Sequence, residues 1–96
     1  MRMMLKVSIP VEPGNVGVKD GSLQKVIGES LERLKPEAAY FLTEDGRRTA
    51  IMVFDLADQS AIPSIAEPFF LAFNAAVSFS PVMNADDLKT ALEKLR

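Results

Sequence analysis

Residues 2–9 alternate strictly. Met3, Leu5, Val7 and Ile9 fall on one side of an extended chain, and Arg2, Met4, Lys6 and Ser8 fall on the other, which is the period of a half-buried strand. The same period recurs over 37–43, 47–55 and 75–83. Between these segments the apolar spacing changes to three and four. Leu23, Val26, Ile27, Leu31 and Leu34 mark a helix over 22–34, and Ile62, Ile65, Ala66, Phe69, Phe70 and Phe73 mark one over 60–73. Leu88, Ala91, Leu92 and Leu95 mark a third over 86–95. The order strand, helix, strand, strand, helix, strand, helix predicts an α+β domain. Its plan is a split β-α-β, with two helices on one face of a four-stranded antiparallel sheet and an additional C-terminal helix.

Local signals set the boundaries. Pro10 and Pro13-Gly14 end the first strand, because proline cannot donate to a sheet ladder. The first helix has two candidate starts: Ser22 or Asp20 caps it, or Asn15 caps a longer helix reaching back through Val16 and Val18. Pro36 fixes its other end. Glu44-Asp45-Gly46 separates two runs of strand formers, and an Asp-Gly pair takes the positive φ angles of a hairpin turn. Tyr40 and Leu42 face away from Phe41, as Met52 and Phe54 face away from Ile51 and Val53, so both hairpin strands read as buried on both sides. Ser60 is the expected cap of the second helix. Pro68 is expected to divide that helix, leaving Glu67 to Phe73 as a separately oriented turn with Leu71 facing outward. Pro81 predicts an edge strand or marks the strand's fraying end, and Asn84 with Asp87 predicts a capped start for the last helix.

Ninety-six residues form one domain, 1–96, and a composition 48% hydrophobic and 25% charged is that of a folded chain. The net charge is −2 and the basic residues are scattered, so nucleic acid is not an expected partner. No apolar run is long enough for a membrane span, and the start has a charge where a signal peptide's apolar core belongs, so the expected location is cytoplasmic.

The chain has no histidine, cysteine or tryptophan. That excludes disulfides, histidine triads, cysteine nucleophiles and thiolate or imidazole metal sites, and no cofactor or metal is expected. The candidates for chemistry are the polar residues on the second face of the sheet. Lys6 and Ser8 on the first strand and Ser78 and Ser80 on the last converge if the first strand is central, with Asp55 placed near the mouth. A partly desolvated lysine there either holds a carboxylate ligand or loses its proton and acts as a base. The plainer reading pairs it with Asp55 or a glutamate at a dimer seam, with the serines filling space. Tyr40 is the only phenol, a ligand or proton-transfer candidate if it does more than pack its ring. Glu67 and Arg47-Arg48 read as solvent-facing charges, with anion binding at the arginines as the sharper alternative. Gly14, Gly17 and Gly21 lack the spacing of a phosphate-binding loop.

The element order and the two-sided hairpin resemble the dimeric α+β barrel superfamily, in which two ferredoxin-like chains pair their sheets face to face. Lys35-Pro36-Glu37-Ala38-Ala39-Tyr40-Phe41, Asp45-Gly46-Arg47-Arg48-Thr49-Ala50, Ile62-Pro63 and Ala66-Glu67-Pro68 also resemble a set of small bacterial proteins of that shape with no known activity. The resemblance implies a ferredoxin-like α+β fold, a homodimer, and a pocket between sheet and helices. This chain lacks the histidine of YCII-like members and the histidine or tryptophan of haem-degrading and chlorite-processing members. Of the Asn, Trp and Tyr used by quinone-forming monooxygenases it has no tryptophan, a single tyrosine (Tyr40), and asparagines only at element ends. Three readings follow. The first is a homodimer binding a small apolar or carboxylate-bearing ligand near Lys6, Ser8, Tyr40, Asp55 and Ser78. The second is a cofactor-free isomerase or oxygenase-type enzyme, and the third is a structural or regulatory dimer with no pocket. The expected dimer face carries Met4, Ile51, Val53 and Val82.

Overall fold

The computed structural model describes residues 1–96. Strand β1 (Arg2–Ile9) is followed by helices α1 (Val11–Asp20) and α2 (Ser22–Leu34) and the hairpin β2 (Ala38–Glu44) and β3 (Arg47–Asp55). A short 3-10 turn (Gln59–Ala61), helix α3 (Ile62–Phe73), β4 (Ala76–Pro81) and helix α4 (Ala85–Glu93) complete the chain. The sheet order is β2-β3-β1-β4, antiparallel throughout. This arrangement is compatible with the ferredoxin-like fold.

The alternation in β1 decides which face is the core. Met3, Leu5, Val7 and Ile9 are buried, with Ala50, Met52 and Phe54 from β3 and Leu23, Ile65, Phe69 and Phe73 from the helices. Asp45 and Gly46 both have positive φ, as the two-residue hairpin requires. α2 and α3 end on left-handed residues, Lys35 and Asn74. Asn84 and Asp87 form the reciprocal capping box expected of α4.

The structure corrects four expectations. The segment after Pro10 is a helix, α1, separated from α2 by Gly21 at φ 83°. Asn15 lies inside it and caps nothing. The buried positions of α1 are Gly14 and Gly17, while Val11, Val16 and Val18 are exposed, so tertiary contact through glycine, not an apolar stripe, seats this helix. Second, β2 is an edge strand with Tyr40, Phe41 and Leu42 exposed, so two-sided burial fails there. Third, Asp58, not Ser60, caps the turn before α3, its carboxylate accepting from the Ser60 N–H at 2.9 Å. Fourth, α3 is one helix containing Pro68. The carbonyl that Pro68 leaves without a helical partner, that of Ser64, accepts from Arg33 Nη1 of α2 at 3.0 Å, and Arg33 Nη2 also donates to the Ser64 hydroxyl. A side chain from the neighbouring helix thus replaces the missing backbone donor.

Candidate functional site on the uncovered sheet face

All three helices between β1 and β4 lie on the core face, so the opposite face of the sheet is uncovered. Register fixes its rows. Tyr40, Ile51, Lys6 and Ser78 run across β2, β3, β1 and β4, with Ala38, Val53, Met4 and Ser80 on one side and Leu42, Thr49, Ser8 and Ala76 on the other. Met4, Ile51 and Val53 are half-buried by their neighbours, whereas Tyr40 keeps 67% of its surface exposed.

Lys6 and Ser78 are direct cross-strand partners, with Ser8 one row away, so the sheet does bring these three together. They border a shallow hollow of ≈ 250 Å³ with Ala76 and Val77. Tyr40 shares the row but stands beyond Ile51, two strands or about 9.6 Å from Lys6 at the backbone. Asp55 is not part of the group. Its cross-strand partner is Arg2, four residues along β1 from Lys6, a separation of about 13 Å. Asp55 instead accepts from the N-terminal ammonium at 2.7 Å. That hydrogen bond and the ammonium charge hold its carboxyl below the usual carboxylate range, which makes it a poorer base, the opposite of what proton abstraction at neutral pH needs.

The Lys6 ammonium is engaged within the chain, donating to Glu44 Oε1 at 2.7 Å. Thr49, the β3 residue that this pair spans, is buried. Glu44 has the parity of Tyr40 and Leu42, so the hairpin register carried a signal for this partner. As a turn residue it gave no other sign. At the rim, Arg2 donates through Nε to Glu37 at 2.6 Å and through Nη1 to Asp87 at 2.9 Å, which ties β1 to the start of β2 and to α4. These contacts, with Glu37 first, raise the Arg2 pKa.

No cluster of carboxylates is arranged to hold a metal ion, and no helix is long and apolar enough to cross a membrane. Comparison with protein-family models and with curated proteins finds no match, so function has to be argued from the uncovered face itself.

Proposed function

We propose that this chain is a self-associating α+β module in which two copies cover each other's open sheet faces. The space left around Tyr40, Ile51, Lys6, Ser8 and Ser78 then takes a small, largely apolar molecule bearing a carboxylate or carbonyl. The observation that carries the reading is the row Tyr40–Ile51–Lys6–Ser78 on a face that nothing in the chain covers. An exposed apolar patch rimmed by charge is characteristic of an interaction surface; the apolar half of this face is Tyr40, Leu42, Ile51, Val53 and Met4, and Arg2, Glu37 and Glu44 supply a charged rim. Four strands at ordinary spacing present a plane of roughly 400 Å² per chain, about half the per-partner area of a standard interface. The exposed Leu88 and Leu92 of α4 are a further uncovered apolar surface.

The Lys6–Glu44 pair favours a second reading, the dimer with no pocket, since a ligand carboxylate has to displace Glu44 to reach the ammonium. Sedimentation at tens of micromolar tests assembly. A dimer that Ile51→Lys converts to a folded monomer supports the reading, and a monomeric parent chain overturns it. Loss of ligand-induced thermal stabilisation in Lys6→Gln, measured with hexanoate, separates the pocketed dimer from the solid one.

A further inference from the structure

Of the two sheet edges, β2 is the one without a blunting device along its length. Its seven residues contain neither proline nor lysine, whereas the other edge, β4, ends in Pro81 and carries Ser78 and Ser80. An edge left this way is a template for another strand. The phase of the ladders shows which backbone groups are free. Leu56 donates to the Met1 carbonyl at 2.8 Å, in step with the Phe54–Met3 pair, so β3 bonds β1 through its even-numbered residues and β2 through its odd-numbered ones. The β2 partners of those odd-numbered residues are Ala38, Tyr40, Leu42 and Glu44. Ala39, Phe41 and Thr43 therefore turn their N–H and C=O groups outward, where no strand receives them.

The core side of the same edge adds a second feature. Phe41 is 54% exposed and walls a half-open hollow of ≈ 200 Å³ that runs in under α2, among Leu23, Ile27, Ile9 and Ala50. Leu23, Ile9 and Ala50 are buried, so the hollow is closed toward the core and opens past Phe41. A strand added beside β2 places every second side chain on this side, next to Phe41 and over the mouth. An apolar cavity of about 150 Å³ accepts benzene, so one large apolar side chain suits the space.

Symmetry argues against a second copy of β2 as the added strand. Only antiparallel pairing about a two-fold axis at Phe41 uses all three outward residues. That register sets Glu37 against Asp45 and Lys35 against Arg47 at both ends, and like charges opposed in this way destabilise a strand pair. A different chain is free of that symmetry, and basic residues at its ends meet Glu37 and Asp45 instead. Asp45 takes part in none of the chain's ion pairs. We propose that β2 binds an extended segment of a partner protein as a fifth, antiparallel strand. A large apolar side chain of that segment packs on Phe41 over the hollow, and a basic residue lies opposite each of Glu37 and Asp45. Main-chain hydrogen bonds give the affinity, and the hollow selects the side chain. The edge is separate from the open face, so this reading stands whether or not two copies assemble.

The test uses the intact protein and an acetylated, amidated nonapeptide with a central phenylalanine, threonine and valine alternating on each side, and a lysine at each end. Amide exchange at Ala39, Phe41 and Thr43 is followed by NMR. Saturable binding that slows exchange at these three amides tenfold or more is expected. Replacing the central phenylalanine by alanine should weaken binding tenfold or more, Phe41→Ala should do the same from the protein side, and glutamates in place of the lysines should also weaken it. N-methylation of the phenylalanine and the two valines removes the donors that face β2 and should abolish binding. N-methylation of the two threonines beside the phenylalanine, whose N–H groups point away, should leave it. No slowing at the three amides, or equal affinity for the two N-methylated peptides, overturns the proposal. Protection of the same amides without peptide, rising with protein concentration, gives the edge to a second copy and equally overturns it. A monomeric chain that binds the peptide supports this proposal and overturns the face-pairing reading, and a dimer that fails to bind it does the reverse.

Discussion

Three glycines with the same chemistry have three different surroundings, and each sets a different sign for substitution by alanine. Gly28 lies within α2 with no atom within 4 Å of an added Cβ, so Gly28→Ala should stabilise by about 0.5–1 kcal/mol, the ordinary helix-propensity gain. At Gly17 the added Cβ would stand 2.8 Å from Phe73 Cε1 and 3.1 Å from Leu23 Cβ, both in the core. The clash outweighs the propensity gain there, and Gly17→Ala should destabilise by about 1–3 kcal/mol. At Gly14 the nearest obstacle is the end of Arg48, which can move, and the next is the Cγ2 of buried Ile9 at 3.2 Å, whose crowding offsets the propensity gain, so Gly14→Ala should alter stability little while releasing the hydrogen bond to Asn15. Urea denaturation of the three variants checks all three signs. Asp58 gives a pH test at the same scale. The Ser60 backbone N–H, and after it the Ser60 side chain, hold its carboxyl below the ordinary value. A lowered folded-state pKa stabilises above the unfolded value and loses that contribution as pH falls through the lowered one. Asp58→Asn keeps the acceptor without the titration, so its melting temperature should fall less than the parent's on acidification below about pH 4, where an unperturbed aspartate begins to protonate.

Among the elements, strands β1 and β3 were legible to the residue and helix α2 in its stripe and its C-terminal end, because alternation and three-four spacing are direct consequences of which side chains reach the core. Helix α1 was visible only as one of two alternatives, since its buried face is Gly14 and Gly17 and its valines face solvent. No hydrophobic pattern encodes a helix seated by the absence of side chains. Lys6, Ser8 and Ser78 were placed together correctly by parity and the central place that the split β-α-β order gives β1. Asp55 does stand at the end of β3 on the expected face, but its pairing with Lys6 fails because parity assigns a face and says nothing of distance along the strand, which only the register supplies. Pro68 was legible as a defect, but its remedy was not, because Arg33 lies 35 residues away on another helix. That remedy yields a double-mutant test. Arg33→Ala should cost about 1 kcal/mol by orphaning the Ser64 carbonyl. In a Pro68→Ala background the helix supplies its own donor, so the same change should cost clearly less. Equal costs in both backgrounds would mean that the Arg33 contact is incidental to the proline.

For the whole molecule, the radius of gyration is 15.1 Å and the longest dimension 54 Å, where a compact chain of this length would have a radius of about 12 Å. The excess comes from α4, which has no buried residue and is tied to the domain through Asp87 and Arg2. Its Leu88 and Leu92 are bare, as is Leu95 in the turn just after it, and its first turn is held at the rim of the open sheet face through Asp87. A nine-residue helix does not hold itself together in water without packing its apolar side. Two apolar surfaces left open at one rim are most economically covered together, which ties the fate of α4 to that of the sheet face. Val53 stands on that face between Met4 and Ala38. Val53→Asp should therefore abolish assembly, since an unpaired carboxylate in an apolar interface costs several kcal/mol. Glu32→Ala, on the exposed side of α2, should leave assembly unchanged. The pair Leu88→Asp and Leu92→Asp should weaken association while leaving the unfolding of the dissociated domain unaltered, because neither leucine belongs to its core. Sedimentation and denaturant titration of the three variants give the decisive comparison. If Val53→Asp stays dimeric, the sheet face is not the interface. If the leucine variant stays dimeric while Val53→Asp does not, the sheet faces pair without α4, and the helix finds its cover elsewhere.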